Sequence, residues 1–497
     1  MNVDSRNLFS TPLLLLLLIV KTMVIGDAWA AIPAPTNDFS TFEPAELVPG
    51  GATTSKHRTN RHSFSHPSSN LSIEQGLNFK VGNGVFKKIW VSSPSSTTAS
   101  DGLGPLYSAR SCLRCHVNNG RGQPPVEGAT QSRAVPLFLR LSIPPQTQQQ
   151  KNLLSQHRLG FIPEPTYGSQ LQGFATQGVA AEGLLKVSYT EIPMQLAGGE
   201  SISLRQPHYT ITDLGYGDLH PDTQYSPRIA PPMIGLGLLE AIDTQDLLQL
   251  ADPEDRDGDG ISGRVNRVWN IKQQAVTIGR FGWKAGAPSL EQQNGAALSG
   301  DIGIGSWMFP NPAGDCTDQQ IECLNQPHGN TAQQDGLEAS KTMTDLLLHY
   351  TRNLAVPMRK VADSKRALVG KQLFYKAGCT GCHTPKFVTQ TNAEMPEQSN
   401  QLIWPYTDLL LHDMGEGLAD NRPEFRATGR EWRTPPLWGI GLTEAVSGHR
   451  NFLHDGRARS LLEAILWHGG EAEAAKQRVV NMNANERNDL IYFLETL

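Results

Sequence analysis

Two Cys-x-x-Cys-His pentads constrain this chain more than any other feature. They are Cys112-Leu-Arg-Cys115-His116 and Cys379-Thr-Gly-Cys382-His383, and they use four of the six cysteines. Thiols at i and i+3 lie on one side of a helical turn, spaced for the two vinyl groups of one haem. The histidine that follows lies beneath the ring and can ligate the iron. A zinc site would need both pairs to converge and would leave the trailing histidines without a role. The pentads therefore predict two covalently bound haems c, with neutral His116 and His383 as iron ligands.

Covalent haem attachment calls for an exported chain. Arg6 precedes the apolar run Leu13–Val20, Lys21 interrupts it, and Ala28-Trp29-Ala30 offers a small-residue cleavage site. This predicts a signal peptide over residues 1–30, cleaved near Ala30, and a periplasmic location. No later segment has the apolar length of a spanning helix, so stable membrane insertion is not expected. The net charge of −5 gives no basic footprint for nucleic acid. The two remaining cysteines, Cys316 and Cys323, are expected to form a disulfide, as a leftover close pair in an exported protein usually does.

Residues 31–75 are rich in Pro, Ser, Thr, Asn and His without apolar periodicity, which reads as a flexible leader. Around the second pentad, SKRALVGKQLFYKAG and the terminal NERNDLIYFLETL have helical apolar spacing. Such helices cross in a cytochrome c domain, here placed at 361–497. The first pentad shows no comparable frame. It is assigned to a haem domain over 76–360 carrying a large mixed α/β insertion, with β-like runs such as GLLKVSYTEIPM and SISLRQPHYTIT. The expected fold is mainly α, with two cytochrome c-like haem domains. Within the insertion, Asp255-x-Asp257-x-Asp259-Gly260 places alternating carboxylates before a glycine turn, a spacing that suits Ca²⁺. The twelfth position is Asn266 and not Glu, so the loop is not a complete EF-hand.

The ordered blocks SCLRCHVNNGRGQPP, SPRIAPPMIGLGLLEAI, GRFGWKAGAPSLEQQNGAALSGDIGI, GCTGCHTP, LLLHDMGEGLAD, RTPPLWGI and NFLHDGRARSLLEAI carry a family resemblance. The chain resembles the di-haem oxidoreductases. These are related to bacterial di-haem cytochrome c peroxidases and to the di-haem enzyme of methylamine utilisation. The resemblance implies that Trp283 matches the indole between the haems, which relays an electron or holds a radical. Gln293 matches a distal-pocket glutamine. The catalytic glutamate of the peroxidases falls on Gly303, and the nearest acid, Asp301, stands in as the proton-moving group. For the sixth ligand of the second iron, the relatives carry Met or Tyr where this chain has His468, with Met414 as the rival. His412, His454 and Arg121 are expected near haem propionates. His157, His208 and His220 are unranked candidates at the first iron. The related enzymes also hold Ca²⁺ between their haems. The implied activity is peroxidase-like: hydrogen peroxide is reduced at the first haem, with electrons passed through the second from a small redox protein or other donor. An electron-transfer cytochrome and a di-haem oxygenase or protein-modifying oxidase are the alternatives.

Overall fold

The computed structural model describes residues 32–127 and 137–497, so the expected signal peptide lies outside the described residues. The expectation of a mainly α fold is corrected: 31% of the chain is helical and 17% is strand. The described strands form six two-stranded antiparallel sheets. The longest is a hairpin of Leu184–Gln195 with Ser201–Thr212, turning at Gly198 and Gly199, both with positive φ. Alternation of polar and apolar residues over these runs favours strand over helix.

Each pentad is set against a pair of crossing helices. At the second, Ser364–Lys376 starts at an Asp363 N-cap and crosses the terminal helix Ala484–Thr496. A Cβ on Gly370 would lie 2.0 Å from the carbonyl of Asp489, so only glycine permits this approach. Four residues on, Phe374 packs on Phe493 at 5.5 Å and reaches His383 at 6.3 Å. The first pentad has the same arrangement. Helix Ile73–Lys87 begins with a Ser72/Gln75 capping box and crosses Lys341–Arg352. A Cβ on Gly82 would meet the Leu346 carbonyl at 2.2 Å. Phe86 packs on Tyr350 at 5.2 Å and reaches His116 at 6.2 Å. The frame that the sequence reading did not find for the first pentad exists, and its two helices are separated by most of the insertion.

The long hairpin leaves the first half of the chain and grips the second. Arg205 donates to the carbonyls of Gly456 and Arg457 and to Asn451, and the Tyr209 hydroxyl donates to Asp455. Arg487 of the terminal helix donates to the Ala197 carbonyl and to Glu200. Residues 32–72 are likewise held, although their composition indicates a free leader. Glu46 is fully buried between Arg359 (2.9 Å) and Lys371 (2.7 Å), and the Ser55 N–H donates to the Val356 carbonyl. Among the described residues, no helix is long and apolar enough to cross a membrane.

Candidate functional site

Helix Ser364–Lys376 ends at Gly378, whose left-handed backbone (φ +81°) turns the chain into the second pentad. The His383 Nδ1 lies 2.9 Å from the carbonyl of Tyr406, a buried residue itself held at φ 53°. Burial pushes the imidazole down to about 4, so it is neutral. A neutral ring donating through Nδ1 has its lone pair on Nε2, the nitrogen that a metal takes. Cys379, Cys382 and His383 line a cavity of about 440 Å³ together with Met414, His468, Trp283 and Trp432. Its remaining wall includes Phe374, Leu461, Ile465, Leu490 and Leu494. Both thiols are free. Reduced thiols, a neutral imidazole with Nε2 open, and an apolar wall fit a covalently attached haem.

The structure brings both candidates for the sixth ligand to this cavity. His468 follows helix Leu461–Leu466, and its Nδ1 lies 2.7 Å from the Ala464 carbonyl, which again leaves Nε2 open. Burial holds it below the usual histidine range, and it is close enough to act electrostatically on His383. His412 is different, because both its nitrogens are occupied. Nε2 lies 2.8 Å from Asp408 and Nδ1 2.7 Å from Glu471. Burial opposes its charge, yet the carboxylates, Asp408 first, hold it well above the usual range, as an imidazolium. The His454 ring stacks on Trp432 at 3.8 Å and 12°, and burial pushes it down to about 4.

At the first pentad, His116 repeats the arrangement of His383. Its Nδ1 lies 2.9 Å from the Pro231 carbonyl, and burial pushes it down to about 4. Asp301 sits on a wide π-type turn, Leu298–Ile302, continuing helix Leu290–Ala297. Its charge acts on both Cys112 and Cys115. Burial raises its carboxyl against the pull of Arg140 at 3.4 Å and Gln170 at 3.1 Å. Gln293, on the preceding helix, is half-buried beside Gly282, next to Trp283. Among the described residues no hydrogen bond joins Gln293 to Asp301. Arg121 leaves the first pentad's loop, and its side chain lines the second cavity. His208 is bonded to Thr190 on the hairpin, and His220 accepts the Asp222 N–H.

Ligand atoms of Asp255, Asp257 and Asp259 come within 4.8 Å of one another on an exposed loop. Asn266 faces inward instead, its amide donating to the carbonyls of Lys284 and Glu424. Cys316 and Cys323 are joined as a disulfide. Sequence reasoning missed Arg140 and Gln170 as partners of Asp301, the Tyr406 and Pro231 carbonyls, and Trp432 with Lys284. Pro231, Trp432 and Lys284 carried a signal, since they lie in or beside the blocks SPRIAPPMIGLGLLEAI, RTPPLWGI and GRFGWKAG.

A family model described as "Di-haem oxidoreductase, putative peroxidase" matches residues 45–497. No curated protein matches the chain at a significant level.

Proposed function

The chain belongs to the di-haem oxidoreductase family, and from that premise we propose that it is an exported peroxidase-type enzyme with two covalently attached haems c. The observation that carries this reading is the asymmetry of the two pentads. The second cavity offers two neutral imidazoles, His383 and His468, each with Nε2 open. The first pentad pairs one imidazole, His116, with a buried acid, Asp301, and its partners Arg140 and Gln170. Two axial ligands suit an electron-transfer centre, whereas one ligand and a proton donor suit an oxidant-binding centre.

When bound, the haems supply one-electron chemistry and, at the first iron, a place for hydrogen peroxide. The overall change is H₂O₂ + 2H⁺ + 2e⁻ → 2H₂O, with electrons from a small redox protein or other donor in the periplasm. Asp301, its carboxyl raised by burial, holds and returns the proton that must move between the peroxide oxygens. Arg140 and Gln170 orient that carboxylate. Gln293 lies beside Gly282, the chain neighbour of Trp283, and Trp283 lines the second cavity with its N–H fixed on the Ile229 carbonyl at 2.8 Å. The test is the spin state of the purified protein, oxidised and half-reduced. One high-spin iron with peroxide turnover supports the enzyme; two low-spin irons in every state would make the chain an electron carrier.

A further inference from the structure

Two tryptophans face the second cavity, and each lies against a buried cation. The Arg121 guanidinium is 5.7 Å from the Trp283 ring centre. It is 7% exposed, donates through Nη1 to the Leu453 carbonyl at 3.1 Å, and has no partner for Nε. The Lys284 ammonium, fully buried, is 4.6 Å from the Trp432 ring centre, with Arg228 at 5.9 Å. Lys284 is paired with Asp420 at 2.8 Å. The two indoles form one bonded unit. The Ile229 carbonyl accepts from Trp283 Nε1, and the Ile229 N–H donates at 2.7 Å to the carbonyl of His454, whose ring stacks on Trp432.

The hydrogen bonds decide what oxidation of these rings would cost. Trp283 donates to the Ile229 carbonyl, and Trp432 donates to the Leu418 carbonyl at 2.9 Å. A backbone carbonyl accepts a hydrogen bond but is too weak a base to take the proton. An indole that lost an electron here would keep its N–H proton and therefore a full positive charge. The cation that is attracted to the neutral ring's π face would then be repelled by it, at short range and out of water. His454, stacked on Trp432, is neutral and offers no relief.

We propose that Arg121 and Lys284 keep positive charge off the two cavity indoles, so that Trp283 and Trp432 couple the haem sites without being oxidised themselves. Both cations are positioning residues acting through the tryptophans. The inference rests on the peroxidase reading for its oxidant, but it can be tested apart from that reading.

Wild-type holoprotein and variants are exposed separately to hydrogen peroxide and to a photogenerated ruthenium(III) polypyridyl, and the peptides holding Trp283 and Trp432 are analysed by mass spectrometry. Two ruthenium(III) ions each take one electron and return to ruthenium(II), while water supplies the oxygen that replaces an indole C–H by C–OH and two protons leave. With peroxide, the net damage is replacement of an indole C–H by C–OH, one water leaving. Arg121→Gln should raise oxidation of Trp283 roughly tenfold and leave Trp432 at the wild-type level, with Arg121→Lys restoring protection. Lys284→Met with Asp420→Asn should do the converse, and it keeps the test open if Arg121→Gln does not fold. Equal oxidation of the matching indole in wild type and neutral variant overturns the inference. So does a parallel rise of both indoles in every variant, which would indicate loosened packing. Discrimination with ruthenium(III) but no reaction of any protein with peroxide would sink the peroxidase reading and leave the inference standing.

Discussion

At the scale of single residues, the choice at the second iron separates two redox behaviours. Thioether ligation favours ferrous iron, and a second imidazole lowers the potential. With His468 as ligand, the C-terminal haem should be low-spin and lack a thioether-to-iron charge-transfer band. His468→Ala should turn it high-spin, and Met414→Ala should leave its spin state unchanged; the reverse pattern would give the site to Met414. A second prediction concerns buried charge. Glu424 lies 2.8 Å from Arg228 and 3.2 Å from Arg422, and although burial opposes its ionisation these cations hold it down at about 2. Glu424→Gln leaves Arg422 buried without its carboxylate, so urea denaturation near neutral pH should show a loss of about 3 kcal/mol. If the loss is well below 1 kcal/mol, the pair does not stabilise the fold.

At the scale of elements, the two Gly-x-x-x-Phe helices set how closely each pentad is approached. Gly82→Ala and Gly370→Ala push a methyl into a facing carbonyl, and each should cost about 1–3 kcal/mol or more. Gly84→Ala, where a Cβ meets nothing within 4 Å, is the control and should not destabilise. The Gly82 change should also disturb the spectrum of the first haem alone, because Phe86 lies one turn on, against His116. The Asp255–Asp259 loop has carboxylates close enough to share an ion, and its far end, Asp259 and Ile261, reaches the rim of the second cavity. Calcium should raise the melting temperature and EDTA lower it, through binding to the folded state only. Asp257→Ala with Asp259→Ala should abolish the response, and a melt indifferent to both additions would remove the cation from this loop.

At the scale of the whole molecule, the long hairpin ties the halves together. The hairpin, part of the insertion assigned to the first half, grips the half that holds His468 through Arg205, Tyr209 and the Arg487 contacts. The number of haems is a property of the intact chain. Pyridine haemochrome should report two per polypeptide, retained after acid-acetone extraction, and Cys112→Ala or Cys379→Ala should each remove one. Stability should fall at strongly acid pH, while nearer neutrality the titrating groups pull both ways. His454, about 4 when folded against 6.5 ordinarily, binds fewer protons than in the unfolded chain over that interval. Its contribution is present above 6.5 and is lost as the pH drops toward 4. Glu424 and Asp455, each about 2 when folded against 4.5 and 3.8, extend the loss as the pH drops toward 2. Glu338, Asp246 and Asp315, raised by burial to about 7, 6 and 6, act in the opposite sense above about 4. Urea midpoints should therefore fall clearly only as the pH drops from about 4 toward 2, and a flat profile there would show that Glu424 and Asp455 titrate alike in both states.

The family's haem cofactors could be expected from the sequence because their proposed attachment signature is local: two thiols and an imidazole fall within five residues, twice. The helices flanking the second pentad could be read too, since apolar spacing on one face is a short-range pattern. What joined distant segments could not. The first pentad's frame pairs Gly82 with Leu346, Asp301 meets Arg140 and Gln170, and His412 is held between Asp408 and Glu471. Ion pairs and close helix approaches depend on which surfaces meet in three dimensions, and no periodicity along the chain encodes that meeting. For the same reason the leader's composition pointed to freedom, while the tertiary structure buries Glu46 between two cations from beyond residue 350.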